Sequence, residues 1–227
     1  MSLPTLAEHA YKELRKRILR FELSLGERLH VDKIAEELQV SPSPVKEALK
    51  QLESEGLVEI RARRGTTVRE FTPDDVRDIY KVRELLEPAA AVDAVNLGAI
   101  TPSLLNELSD TIKRLEDASH GTKFENPVAA IEADSAFHRT IVAATGNKVL
   151  TGIHSSLTSQ AHLLRIFSTR SPRAADTIRE HQEICDALAA RDVERVHSAC
   201  LRHLVSAREV LLKQIKSEQQ RRPNDPQ

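Results

Sequence analysis

Tryptophan is absent from this 227-residue chain, which holds only two tyrosines and five phenylalanines. That shortage argues against a β-sandwich or barrel, whose cores draw on aromatic side chains, and the abundance of Ala, Leu, Glu and Arg favours helices. No apolar run approaches the roughly 18 residues that a bilayer span needs. The N-terminus also lacks the charged-then-apolar pattern of a secretory signal, so the expected location is cytoplasmic, with no membrane partner. The two cysteines, Cys185 and Cys200, then read as reduced core residues rather than a disulfide. An excess charge of either sign is missing too. A net charge of -1 excludes a generally basic nucleic-acid coat, so any DNA contact must come from a local patch.

Such a patch exists. Residues 1–70 carry thirteen Lys/Arg against twelve Asp/Glu, but Arg61, Arg63, Arg64 and Arg69 cluster within 60–69, where there is no acid. Upstream, apolar positions recur at helical spacing. Leu6, Ala10, Leu14 and Ile18 predict a helix over 6–20, and Gly26 ends the following turn. Ile34, Ala35 and Leu38 predict a short helix over 31–38. Val45, Ala48, Leu49 and Leu52 predict another, capped by Ser41 and stopped by Gly56. Residues 57–61 and 66–69 read as two short strands around an Arg63-Arg64-Gly65 turn. That order of elements describes a winged helix-turn-helix over 1–70.

Beyond residue 70 the pattern changes. Thr72-Pro73, Thr101-Pro102, Asn126-Pro127 and Ser171-Pro172 each set a capping side chain before a proline suited to a first helical turn. Gly146-Asn147 separates a helix over 127–145 from one starting near 148, and Asp192 opens a last helix to about 216. The fold class is therefore mainly α, with an all-helical bundle of about six helices over 71–217. The polar stretch 218–227, with two prolines, reads as a disordered tail.

A recognition helix presents short polar groups and cations at its N-terminal end, where it enters the major groove. Ser41, Ser43 and Lys46 suit that role, and Arg64 with Gly65 at the wing tip suits contact with the DNA backbone or minor groove. Each serine is equally explained as a cap, and Lys46 as a solvated charge. The run Val40-Ser41-Pro42-Ser43-Pro44-Val45-Lys46-Glu47-Ala48-Leu49, followed by Leu52-Glu53-Ser54-Glu55-Gly56-Leu57-Val58, resembles the GntR family of transcriptional regulators. The family pattern is V-S-R-T-P-V-R-E-A-L. Pro42 and Lys46 stand where it has arginines, which removes two planar guanine-reading donors and leaves the operator sequence open. The resemblance implies a homodimer on a palindromic double-stranded operator, acting as a repressor in response to a ligand.

In the second half, Asp134 and His138 lie on the inward stripe of Ile131 and Ile141. His181 shares a stripe with Ile178, Cys185 and Leu188, and His203 shares one with Val196, Cys200 and Val210. A single inward histidine is most often a hydrogen-bonded core residue, but three such helices aim imidazole and carboxylate at one region. Those donors suit a divalent ion, zinc before nickel, manganese or iron, with positions left for a carboxylate. His181, Cys185, Cys200 and His203 form a competing ligand set. Asp134 with Phe137-His138, Glu180-His181 and His203-Leu204 resemble the FCD class of GntR effector domains over about 73–216. The resemblance implies Asp134, His138, His181 and His203 as metal ligands and a small organic acid as effector.

Two effector-binding candidates accompany them. Arg83 falls on the stripe of Ile79, Leu86 and Ala90, where either an effector carboxylate or an internal partner such as Glu87 would satisfy it. Asn147 resembles the family's G-N motif and is equally explained as a helix cap. His9, His30, His120, His154, His162 and His197 read as surface or packing residues. Without a G-x-S-x-G nucleophile or a general base beside the ligands, an enzyme is not expected, though a metalloenzyme or a purely structural metal site are the rival readings.

Overall fold

The computed structural model describes residues 5–169 and 171–221. The chain divides into two compact units between Glu70 and Phe71. The N-terminal unit runs α1 (Leu6–Leu19), β1 (Arg28–Leu29), α2 (Val31–Glu37), α3 (Pro42–Ser54), β2 (Val58–Arg61) and β3 (Gly65–Val68). Thr5 opens α1 with a capping box, its side chain accepting from the Glu8 amide while Glu8 reaches back. Ala10, Leu14 and Ile18 of α1 are fully buried and α1 packs against α3, whose Val45, Ala48, Leu49 and Leu52 point inward. Tyr11 and Arg15 both donate to Glu55 at the end of α3, the arginine at 3.1 Å.

The hairpin expected from the sequence pairs Val58 with Val68 and Arg61 with Gly65. A third strand joins it, giving the antiparallel order β1-β3-β2. At two residues, β1 is too short to show periodicity. Gly65 has φ +86°, a conformation that favours glycine, and a Cβ there would lie 3.3 Å from the Arg28 guanidinium, which would have to shift by a few tenths of an ångström.

The second unit contains α4 (Pro73–Asn96), α5 (Pro102–Asp117), β4 (Ser119–His120), β5 (Lys123–Phe124), α6 (Pro127–Ala143), α7 (Lys148–Ser168), α8 (Ala174–Ala190) and α9 (Val193–Arg221). Thr72, Thr101 and Asn126 each accept a backbone N–H three residues on, as expected of caps before proline. The fourth expected start differs. Arg173, not Ser171, occupies the cap of α8, without a side-chain cap bond, because its guanidinium turns inward to Glu180. Residues 218–221 continue α9 instead of starting a tail, since Glu218, Gln219, Gln220 and Arg221 are all good helix formers ahead of Pro223. The rest of the expected tail, 222–227, lies outside the described residues. The small β4–β5 hairpin was not expected. It ties to α8 through the Ala174 amide and the Thr122 carbonyl, 2.9 Å apart.

An apolar core joins α4, α5, α6, α8 and α9, with Phe137, Leu108, Leu188 and Val196 fully buried. Cys185 and Cys200 are free thiols within it, both pushed up to about 12 by burial. Among the described residues, no helix is long and apolar enough to cross a membrane.

Candidate functional site

Helices α6, α8 and α9 bring Asp134, His138, His181 and His203 together, all buried, with one ligand atom from each within 4.8 Å of the others. Each ring is held through Nδ1. His138 Nδ1 donates to Glu87 Oε2, His203 Nδ1 to Glu180 Oε2, and His181 Nδ1 to the Thr177 carbonyl, each at 2.8 Å. A carbonyl only accepts, so His181 carries its proton on Nδ1, and the carboxylates impose the same tautomer on the other two rings. All three Nε2 atoms thereby keep lone pairs.

Those lone pairs face one another. His203 Nε2 lies 3.2 Å from His138 Nε2, where neither has a proton to share. Among the described residues His181 Nε2 has no hydrogen-bond partner, and it sits 3.4 Å from Asp134 Oδ1. Asp134 Oδ2 lies 2.5 Å from Arg165 Nε as an ion pair, yet also lacks a hydrogen-bond partner. Buried lone pairs at this spacing repel unless a cation sits between them. Nitrogens about 2.0–2.1 Å from a shared ion would be roughly 3.0–3.4 Å apart, so the donor set fits a divalent metal. Anchored Nδ1 groups are also how ligating histidines are usually oriented.

The competing ligand set is not assembled: Cys185 and Cys200 pack in the apolar core and are not part of the four-residue group. Arg83 is buried and pairs with Glu87, its Nε 2.6 Å from Oε1, so the internal partner considered from the sequence is present. It also lines a cavity of about 40 Å³ beside the cluster, with Asp134, Arg165, Arg173, His203 and Tyr80. Asn147 does not line it. Exposed at the start of α7, its Oδ1 accepts from the Val149 and Leu150 amides at 3.1 and 3.0 Å. The cap reading therefore accounts for Asn147.

Sequence reasoning missed several residues. His154 is buried and 3.2 Å from Glu87 Oε1; His162 is buried beside Ser135. His9, His30, His120 and His197 are exposed, as expected. Arg165, Arg173 and Glu180 also surround the cluster. The one available signal was the pairing of Glu180 with His181 in the motif, since nothing local marks the two arginines.

Burial lowers the pKa of His138, His181 and His203, and the carboxylates beside His138 offset this only in part. Burial alone would raise Asp134, but the Arg165 guanidinium beside it holds it well below the usual carboxylate range. Because the three histidines bind protons more readily unfolded than folded, metal-free stability is expected to fall as the pH drops below about 6.5. The slope approaches about 1.4 kcal/mol per pH unit for each ring. Urea midpoints between pH 8 and 5 measure it; midpoints flat through that window would contradict neutral rings.

In the N-terminal unit, Ser41, Ser43, Lys46, Arg64 and Gly65 are all exposed. Ser41 occupies the cap of α3 but its side chain makes no cap hydrogen bond. The third helical residue, Pro44, has no N–H to offer it, and neither does Pro42. Of the first three helical residues only Ser43 has an amide, so this helix start is a poorer anion cradle than its position suggests. Arg63, at φ +65°, turns the chain between the wing strands, next to Arg64.

A winged helix-turn-helix followed in the chain by a helical domain with a buried His/Asp cluster is the arrangement of a DNA-binding transcriptional regulator. Residues 6–68 match "Bacterial regulatory proteins, gntR family" and residues 78–206 match "FCD domain". The chain belongs to the GntR family of DNA-binding transcriptional regulators and carries an FCD domain, a domain type associated with metal binding. It is 28% identical to the HTH-type transcriptional regulator YdhC of Bacillus subtilis, covering 85% of each chain. It is 27% identical to a probable D-xylose utilization operon transcriptional repressor of Paenarthrobacter nicotinovorans, over 89% of this chain and 87% of that one. The fold matches a putative GntR regulator from Rhodococcus sp. RHA1 with a TM-score of 0.80, at 23% identity, over 91% of this chain and 97% of that one.

Proposed function

We propose that this regulator is a ligand-responsive repressor whose bundle binds one divalent metal, zinc by preference, and a small carboxylate effector. Asp134, His138, His181 and His203 hold the ion, which supplies open coordination positions for the acid. The observation that carries this reading is the convergence of three unprotonated, buried Nε2 atoms on Asp134. Arg83 contributes to the effector site by lining the cavity while Glu87 neutralises it. The acid changes DNA affinity only if it binds the DNA-competent and incompetent states unequally. Repression is supported by the similarity to a repressor reported above.

Two copies act together on a palindromic operator, each placing α3 in a major groove. Support for self-association comes from exposed apolar side chains on two helices that pack against each other. These are Val82 and Leu85 on α4 and Val149 and Ile153 on α7. Lys46, Ser41 and Ser43 meet DNA from α3, and Arg64 and Gly65 from the wing.

The test is binding to fragments of its own promoter region at stated salt, with and without zinc and a panel of hydroxy, keto and dicarboxylic acids. Lys46→Ala and Arg64→Ala are each expected to weaken binding about tenfold, roughly 1.4 kcal/mol, and to flatten the salt dependence. Unchanged affinity in both variants would remove these residues from the interface. DNA binding indifferent to metal and to every acid would leave a structural metal site, and turnover of an acid would make the domain a metalloenzyme.

A further inference from the structure

We propose that the ligand of the bundle cavity is a short dicarboxylate, one end directed at the metal centre and the other at Arg173. The proposal rests on the metal-sensing reading above and specifies which acid that site takes.

The first observation is charge. Three guanidiniums line the cavity, and each is paired with one carboxylate: Arg83 with Glu87, Arg165 with Asp134, and Arg173 with Glu180. All six side chains are buried. The imidazoles must be neutral to offer lone pairs to a metal. The set is therefore balanced without the ion and carries two positive charges once a divalent ion is held. Uncompensated charge in a buried site is costly. A monocarboxylate cancels half of it and a dicarboxylate all of it.

The second observation is independent of the metal. Arg173 is only 7% exposed, and its Nη2 donates to Glu180 Oε2 at 2.8 Å and to Ser206 Oγ at 3.3 Å. Its Nε and Nη1 have no hydrogen-bond partner among the described residues. Arg83 spends both Nε and Nη2 on Glu87, and Arg165 engages Asp134 and Ser135. Of the three, Arg173 is the one with buried nitrogens that meet no acceptor among the described residues. Each buried donor without an acceptor costs about 1–3 kcal/mol, which an anionic oxygen would recover. Arg173 shares the cavity with Asp134 and His203, so an acid reaching the metal is already in its neighbourhood.

Size limits the spacer. A cavity of about 40 Å³ is far below the several hundred Å³ of sites for larger ligands. At roughly 10–15 Å³ for each water-sized position, it holds about three or four such positions, which favours the shortest diacids. Leu115, Phe124 and Ile131 supply apolar wall for the methylenes between the two ends.

Calorimetric titration of the zinc-loaded full-length protein with matched acids tests this: malonate against propionate, succinate against butyrate, malate against 2-hydroxybutyrate. In at least one pair the dicarboxylate is expected to bind about tenfold or more tightly than its partner. In Arg173→Gln that ratio should fall below about threefold while zinc stoichiometry is unchanged. If that variant does not fold, Arg173→Lys serves, since it keeps a charge near Glu180 but lacks the Nε and Nη1 donors. Equal affinities within every pair would overturn the dicarboxylate assignment and leave the sensor reading standing. A preference undiminished in both variants would overturn the role of Arg173. Binding of none of the six acids would overturn the sensor reading and this proposal with it.

Discussion

Glu87→Ala is expected to cost about 3–5 kcal/mol of stability, because it leaves a buried, charged guanidinium without its carboxylate partner. Arg83 is 1% exposed and is ion-paired with Glu87, with Nε and Nη2 at 2.6 and 3.3 Å. The same carboxylate accepts from His138 Nδ1 at 2.8 Å and approaches His154 Nε2 at 3.2 Å. One side chain of α4 thus anchors α6 and α7. Burial would raise Glu87, but Arg83 and the two histidines keep it ionised, well below the usual range. The double change Arg83→Met with Glu87→Leu removes both charges and is expected to recover most of the loss. Urea denaturation of the unaltered protein and the two variants measures it; a loss under about 1 kcal/mol in Glu87→Ala would mean the pair is not buried as described. Metal affinity gives a second readout, because losing the acceptor of His138 Nδ1 is expected to weaken it about 10–100-fold.

Metal saturation should stabilise the helical unit by a comparable amount. An ion at one hundred times its dissociation constant contributes about 2.7 kcal/mol, provided the unfolded chain does not bind it. For a unit of this size that raises the melting temperature by roughly 5–10 °C. Asp134→Ala and His181→Ala are expected to abolish the rise, whereas Cys185→Ala should leave it intact. A rise that survives both ligand variants but not the cysteine variant would move the site to the alternative ligand set. Scanning calorimetry with and without zinc separates these outcomes.

How far the sequence led depends on the range of each interaction. The caps at Thr72, Thr101 and Asn126 were legible because a short polar side chain and the proline after it settle a helix start within four residues. The inward direction of Asp134, His138, His181 and His203 followed from their apolar neighbours at helical spacing, and the resemblance joined them into one set. Arg165 and Arg173 were not legible. A lone arginine on a helix or at its start is normally a solvated charge, and only packing brings Arg165 to Asp134, thirty-one residues away. Ser41 shows the reverse case, in which a residue type ideal for capping is denied its bond by the prolines that follow. The two-residue strand β1 and the β4–β5 hairpin are too short for any periodic signal and depend on the surface they pair with.

X-ray absorption at the metal edge of protein loaded with one equivalent of zinc reads the ligands of the bundle site directly. Three imidazole nitrogens and a carboxylate oxygen at about 2.0–2.2 Å are expected, a pattern lost in His181→Ala. A sulfur ligand near 2.3 Å, or zinc bound without imidazoles, would contradict it.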